Sequence, residues 1–130
     1  MIILVDYNLN REAILLSGSL VNGGWLDLID LQLVTFREIG LPANSNDRVV
    51  WEFAQTNRML LLTANRNAQG EDSLERVMRQ ENTSTSFPMI TIANPDRVSE
   101  YGYRESCIEK LVEIVIDIEY YMGAGRLFIP

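Results

Sequence analysis

A chain of 130 residues has the length of one domain with a hydrophobic core, and an apolar share of 47% excludes a disordered sequence. A formal net charge of -7 argues against broad, non-specific nucleic-acid binding, which needs a positive footprint, while leaving room for a local basic patch or a metal-bridged phosphate. The chain has no histidine, which removes Ser-His and Cys-His catalysis and the usual zinc ligand sets. Its one cysteine, Cys107, has no internal disulfide partner and fits a reducing, cytoplasmic setting.

Ile2 to Val5 reads as a central strand, apolar on both faces. Asp6-Tyr7-Asn8 turns the chain, and Asn8 or Asn10 is positioned to cap a helix from about Arg11 to Val21. Ala13, Leu16 and Leu20 share a face of that helix, with Ile14 and Val21 beside them, and Gly23-Gly24 ends it. Trp25 to Leu31 reads equally as a short helical turn or an extended approach. Gln32 to Phe36 is the second predicted strand. A loop through Gly40-Leu41-Pro42 leads to a helix from about Asp47 to Asn57, capped by Ser45 or Asn46. Asp47 stands in its first turn, where a negative charge suits the helix dipole.

Met59 to Thr63 is the third strand, and it runs into the polar cluster Asn65-Arg66-Asn67. A helix from about Glu71 to Gln80 follows, then a fourth strand from Pro88 to Ile92. A last helix is expected from about Glu105 to Met122, and a short edge strand from Arg126 to Ile129. No secretory signal is evident, and no apolar run reaches membrane length. Strands alternating with helices predict a three-layer α/β/α sandwich around a mostly parallel sheet of four to five strands, with ligands at the carboxyl ends of the strands. Asp6, the segment Thr63 to Asn67, and Asn94 to Asp96 fall at such ends, and Asp47 starts a helix beside them.

No glycine-rich phosphate loop follows the first strand, and Ser17-Gly18-Ser19 lies in a helical pattern rather than at a nucleophile elbow. Metal-assisted phosphodiester hydrolysis is the chemistry left, since carboxylates from several strand ends suit Mg²⁺ or Mn²⁺. Three stretches carry a resemblance. Ile2 to Leu9, an apolar strand followed by Asp6, Tyr7, Asn8 and Leu9, resembles the opening of the small PIN-like domain family. Gly40-Leu41-Pro42 with Asn46-Asp47, Val50 and Ala54 resembles its Gly-Leu loop and Asp-led helix. Met59 to Asn67 resembles its strand ending in Thr-x-Asp-x-Asp. The three cover roughly the first half of the chain, in order and spacing.

That resemblance implies a single PIN-like domain and a Mg²⁺- or Mn²⁺-dependent endoribonuclease, often the toxin of a toxin–antitoxin pair. RNA would be its substrate and a cognate antitoxin protein its partner. Carried over, Asp6 and Asp47 would be the catalytic, metal-binding carboxylates. Asn65 and Asn67 would occupy two further metal positions, and Asn8 and Thr63 would order the site. Arg66, read by its charge alone, is either a solvated residue or a phosphate contact. The chain departs from the pattern at Asn65 and Asn67, where amides replace acids. An amide oxygen is a weaker, neutral ligand and cannot act as a general base, and Glu71, Asp72 or Asp96 are candidate substitutes. The alternative expectation is a non-catalytic PIN-like module that binds a protein partner or pairs with itself as a homodimer through apolar helix surface. Ile2 to Leu9 also resembles the start of a receiver domain. However, Tyr7 stands where a second acid belongs, Asn65 stands near the phosphoacceptor position, and no matching lysine follows the fourth strand.

Overall fold

The computed structural model describes residues 1–130. Five parallel strands form one sheet: β1 (Ile2–Val5), β2 (Gln32–Val34), β3 (Leu60–Thr63), β4 (Met89–Ile92) and β5 (Arg126–Ile129), in the order β2-β1-β3-β4-β5. The helices are α1 (Asn10–Asn22), α2 (Phe36–Ile39), α3 (Asp47–Thr56), α4 (Leu74–Glu81), α5 (Tyr101–Ile116) and α6 (Ile118–Tyr121). No helix is long and apolar enough to cross a membrane.

Strand side chains alternate between the two faces, which sorts the core into two layers. On one face Ile3, Val5, Leu60, Leu62, Ile90 and Ile92 pack under Leu16 and Leu20 of α1 and Ile108, Leu111 and Val112 of α5. On the other, Leu4, Leu61 and Met89 pack under Val50, Trp51 and Ala54 of α3 and Leu74 and Val77 of α4. The result is a three-layer α/β/α sandwich. The β1-to-β2 step runs over α1, while the β2-to-β3 and β3-to-β4 steps run the opposite way over the opposite face, so these three crossovers share one hand. The β4-to-β5 step continues the same way, yet α5 lies on the face of α1, so this crossover has the other hand. On the face of β5 opposite α5, α4 reaches only the start of the strand, through Glu75 to Arg126, and Phe128 is 45% exposed.

The structure redraws several predicted boundaries. Neither Asn8 nor Asn10 caps α1: Leu9 holds the cap position without a side-chain bond, and Asn10 is already helical, because Tyr7–Leu9 forms a 3₁₀ turn that feeds straight into α1. Asp6 accepts from Tyr7 N–H at the head of that turn. Ile14 and Val21 face solvent at 73% and 62% exposure. Trp25–Asp27 is a 3₁₀ turn. Phe36 belongs to α2 rather than β2, because Thr35 and Glu38 form a capping box that ends the strand at Val34. Asn46, not Ser45, caps α3 through Val49 N–H. Ser73 caps α4, moving its start from Glu71 to Leu74. The last helix begins earlier than predicted, at Tyr101, and breaks at Asp117 before α6. Cys107 is buried, and burial pushes its thiol up to about 11, so it packs as a small apolar group.

The turn that delivers β5 rests on Gly123. It adopts φ +83°, and a Cβ there would lie 2.9 Å from Ser84 Cα, while its N–H donates to Ser86 O at 2.8 Å. Gly18, in the middle of α1, has helical geometry and open space around it. Opposite effects follow in urea unfolding. Gly123→Ala should lower stability by more than about 1 kcal/mol, and Gly18→Ala should raise it by roughly 0.5–1 kcal/mol. A tolerated Gly123→Ala would contradict the tight packing of this turn.

Candidate functional site

The strand order reverses between β1 and β3, and the crevice at such a switch point is where parallel sheets bind ligands. Here it is a cleft of about 460 Å³, open to solvent, lined by Asp6, Tyr7, Asn8, Phe36, Ser45, Asp47 and Asn65 among others. Asp6 ends β1, where its N–H still pairs with Leu62 O at 2.9 Å. Thr63 ends β3 and is fully buried. Tyr7 and Phe36 form a tilted aromatic pair on the wall, with centroids 6.2 Å apart.

A single chain of hydrogen bonds joins the polar groups. Thr63 Oγ1 donates to Asp6 Oδ2 at 2.8 Å and accepts from Asn65 N–H at 2.9 Å. Asn65 Nδ2 donates to Asp47 Oδ2 at 3.1 Å, and the same oxygen accepts from Leu74 N–H, also at 3.1 Å. Asp47 thus sits in the first turn of α3 and ties down the first N–H of α4. The positive ends of both helix dipoles face its carboxylate. Asn65 Oδ1 is occupied as well, accepting from Asn67 N–H at 2.8 Å.

The structure brings Asp6, Asp47, Asn8, Thr63 and Asn65 together at this cleft and leaves the other candidates outside it. Asn67 is exposed, and its Oδ1 accepts from Gln69 N–H at 3.0 Å in a local turn. Arg66 reaches the end of β4, donating to Ala93 O at 2.7 Å and lying 5.1 Å from the Phe128 ring centroid. Asp72 is held by Arg48 at 2.6 Å, while Glu71 and Asp96 are exposed and line no part of the cleft. Sequence reasoning missed Phe36 and Ser45 as lining groups and Leu74 N–H as a partner of Asp47. The Thr35-Phe36-Arg37-Glu38 capping signal was the available clue to Phe36. Receiver-type phosphoacceptor chemistry also lacks its parts, with Asn65 beyond β3 and no lysine in β5.

Mg²⁺ and Mn²⁺ require several oxygen ligands, usually carboxylates with water. Nowhere in the chain do three acidic side chains converge into a metal-holding group. In the cleft only Asp6 and Asp47 are acidic, Asp47 Oδ2 is already doubly bonded to N–H donors, and Asn65 presents its NH₂ rather than its oxygen. This donor set does not fit a tightly held divalent ion.

Burial raises the Asp6 carboxyl above its ordinary value of 3.8; the Thr63 hydroxyl and Tyr7 N–H offset this in part, and the nearby Asp47 charge adds to it. With a folded pKa above the unfolded one, the contribution of Asp6 is most favourable below the unfolded value and is lost as pH rises through the folded value. Asp6→Asn removes that loss. Its melting temperature relative to the unchanged protein should therefore climb as pH rises from below the ordinary carboxyl value toward neutrality. A difference independent of pH would contradict a strained Asp6.

No protein-family model matches the chain, and no curated protein or solved structure matches it either.

Proposed function

We propose that the chain is a PIN-like domain that works as a non-catalytic binding module, its cleft a remnant of an acidic ribonuclease site. The observation that carries this reading is the Asn65 Nδ2 to Asp47 Oδ2 bond at 3.1 Å. An acid at position 65 would set two carboxylates against each other and call for a cation between them. The amide instead supplies a hydrogen-bond donor, so Asp47 is satisfied by the protein itself.

Asp6 and Asp47 are, in this reading, what persists of the metal-binding carboxylates, now held by Thr63, Tyr7 N–H, Asn65 and Leu74 N–H. They serve to fix the strand and helix ends around the cleft. With two carboxylates and no lysine or arginine among the lining residues, the cleft repels a polyanion such as RNA and favours a basic or neutral polar group of a protein partner.

Thermal unfolding with and without millimolar Mn²⁺, together with an RNA-cleavage assay, tests this. The unchanged protein should show no ion-dependent rise in melting temperature and no cleavage. Asn65→Asp should lower stability in a chelator. With Mn²⁺ it should recover by several degrees, on the scale of roughly 3–5 °C per kcal/mol of ion binding. Mn²⁺-dependent cleavage by the unchanged protein, abolished by Asp6→Asn, would overturn the proposal and restore the ribonuclease reading.

A further inference from the structure

Arg126 lines no cavity, yet each of its three guanidinium nitrogens donates a hydrogen bond within the protein. Its side chain is 10% exposed and its partner Glu75 is 17% exposed, so the pair is largely withdrawn from water. Arg126 Nε and Nη2 both donate to Glu75 Oε2, at 3.0 Å and 2.7 Å. Burial alone would raise the Glu75 carboxyl, but the hydrogen bond and charge of Arg126, with Arg79, more than reverse this and hold it below its ordinary value. The remaining nitrogen, Nη1, donates to Asn65 O at 3.0 Å and to Thr91 Oγ1.

One guanidinium therefore joins β5, β4, the first turn of α4 and the backbone of the residue whose side chain bridges to Asp47. A buried ion pair is a poor source of net stability, since apolar residues of the same size often do as well. Its fixed fork geometry does, however, set direction, and here it sets the carbonyl of Asn65. With Thr63 Oγ1 accepting from Asn65 N–H, both sides of this residue's backbone are held, with its side chain lining the cleft.

We propose that Arg126, anchored by Glu75, is the positioning residue of the cleft: it orients Asn65 from beneath so that the amide meets Asp47. The inference rests on the cleft reading above only in taking that amide bond as the element to be oriented. It assigns a role to a residue 61 positions away in sequence that never enters the cleft.

Solvent exchange of side-chain NH₂ groups in the ¹⁵N-labelled full chain tests it, using Arg126→Met and, as a second variant, Glu75→Gln. The internal control is Gln55, whose NH₂ donates to Phe87 O at 2.8 Å on another part of the same layer. In either variant the Asn65 NH₂ should exchange at least about tenfold faster while Gln55 stays within about twofold. Unchanged Asn65 exchange, or equal acceleration of both groups, would overturn the positioning role. An Asn65 NH₂ already unprotected in the unchanged protein would refute the amide bond itself. Metal-dependent RNA cleavage would remove the functional reading and leave this measurement standing.

Discussion

Two half-buried carboxylates, Asp6 and Asp47, share one cleft, and each must find donors or a cation. The donors come from inside: Tyr7 N–H and Thr63 Oγ1 for Asp6, Asn65 Nδ2 and Leu74 N–H for Asp47. Because Thr63 also accepts from Asn65 N–H, these are not two local arrangements but one relay linking β1, β3, α3 and α4. A second carboxylate at the 3.1 Å separation of Asn65 from Asp47 would be repelled by on the order of 5 kcal/mol at an intermediate dielectric. The amide removes that repulsion and replaces it with a hydrogen bond. The identity of residue 65 therefore decides both how the strand and helix ends are held together and whether the cleft calls for an ion.

The topology explains why the relay can be braced from below. The last crossover, of opposite hand to the other three, takes α5 to the face of α1 and leaves the opposite face of β5 covered only at its start, by Glu75 of α4. On that face the alternation of β5 places Arg126 and Phe128, and each engages the segment after β3: Arg126 through Asn65 O, Phe128 through the Arg66 guanidinium. Arg48 holds the far end of the same loop through Asp72 and Glu71 O. Three arginines thus fix a polar segment that has no regular structure of its own between β3 and α4. A helix over β5 would have displaced two of them.

The sequence was most readable where a single local pattern decides the conformation. β1 and β5 keep the bounds that their apolar runs predict, and the ends of β1 and β3 mark the cleft because apolar residues give way to Asp6 and to Thr63-Ala64-Asn65. Boundaries shifted where two signals competed. Phe36 looks like the end of an apolar run, yet Thr35 and Glu38 cap a helix there. Tyr101 and Gly102 discourage a helix, yet α5 includes them because Tyr103 is buried in the core and its hydroxyl accepts from Asn94 N–H. Contacts between distant side chains left no local trace. Arg126 between glycine-rich and apolar residues reads as an ordinary edge charge, and nothing near it announces Glu75 or Asn65.

The same reasoning separates architecture from chemistry. An Asp-to-Asn difference preserves shape, so the strand, the turn and the Asx-type bond to Asn67 N–H need no change when position 65 carries an amide. What changes is the sign of the interaction with Asp47, from one that needs a cation to one that excludes the need. The packing that places residue 65 does not depend on its charge, since Arg126 and Thr63 grip only its backbone. A fold that holds residue 65 by its main chain can thus carry either an amide or an acid there and keep the cleft, its walls and its position at the switch point of the sheet.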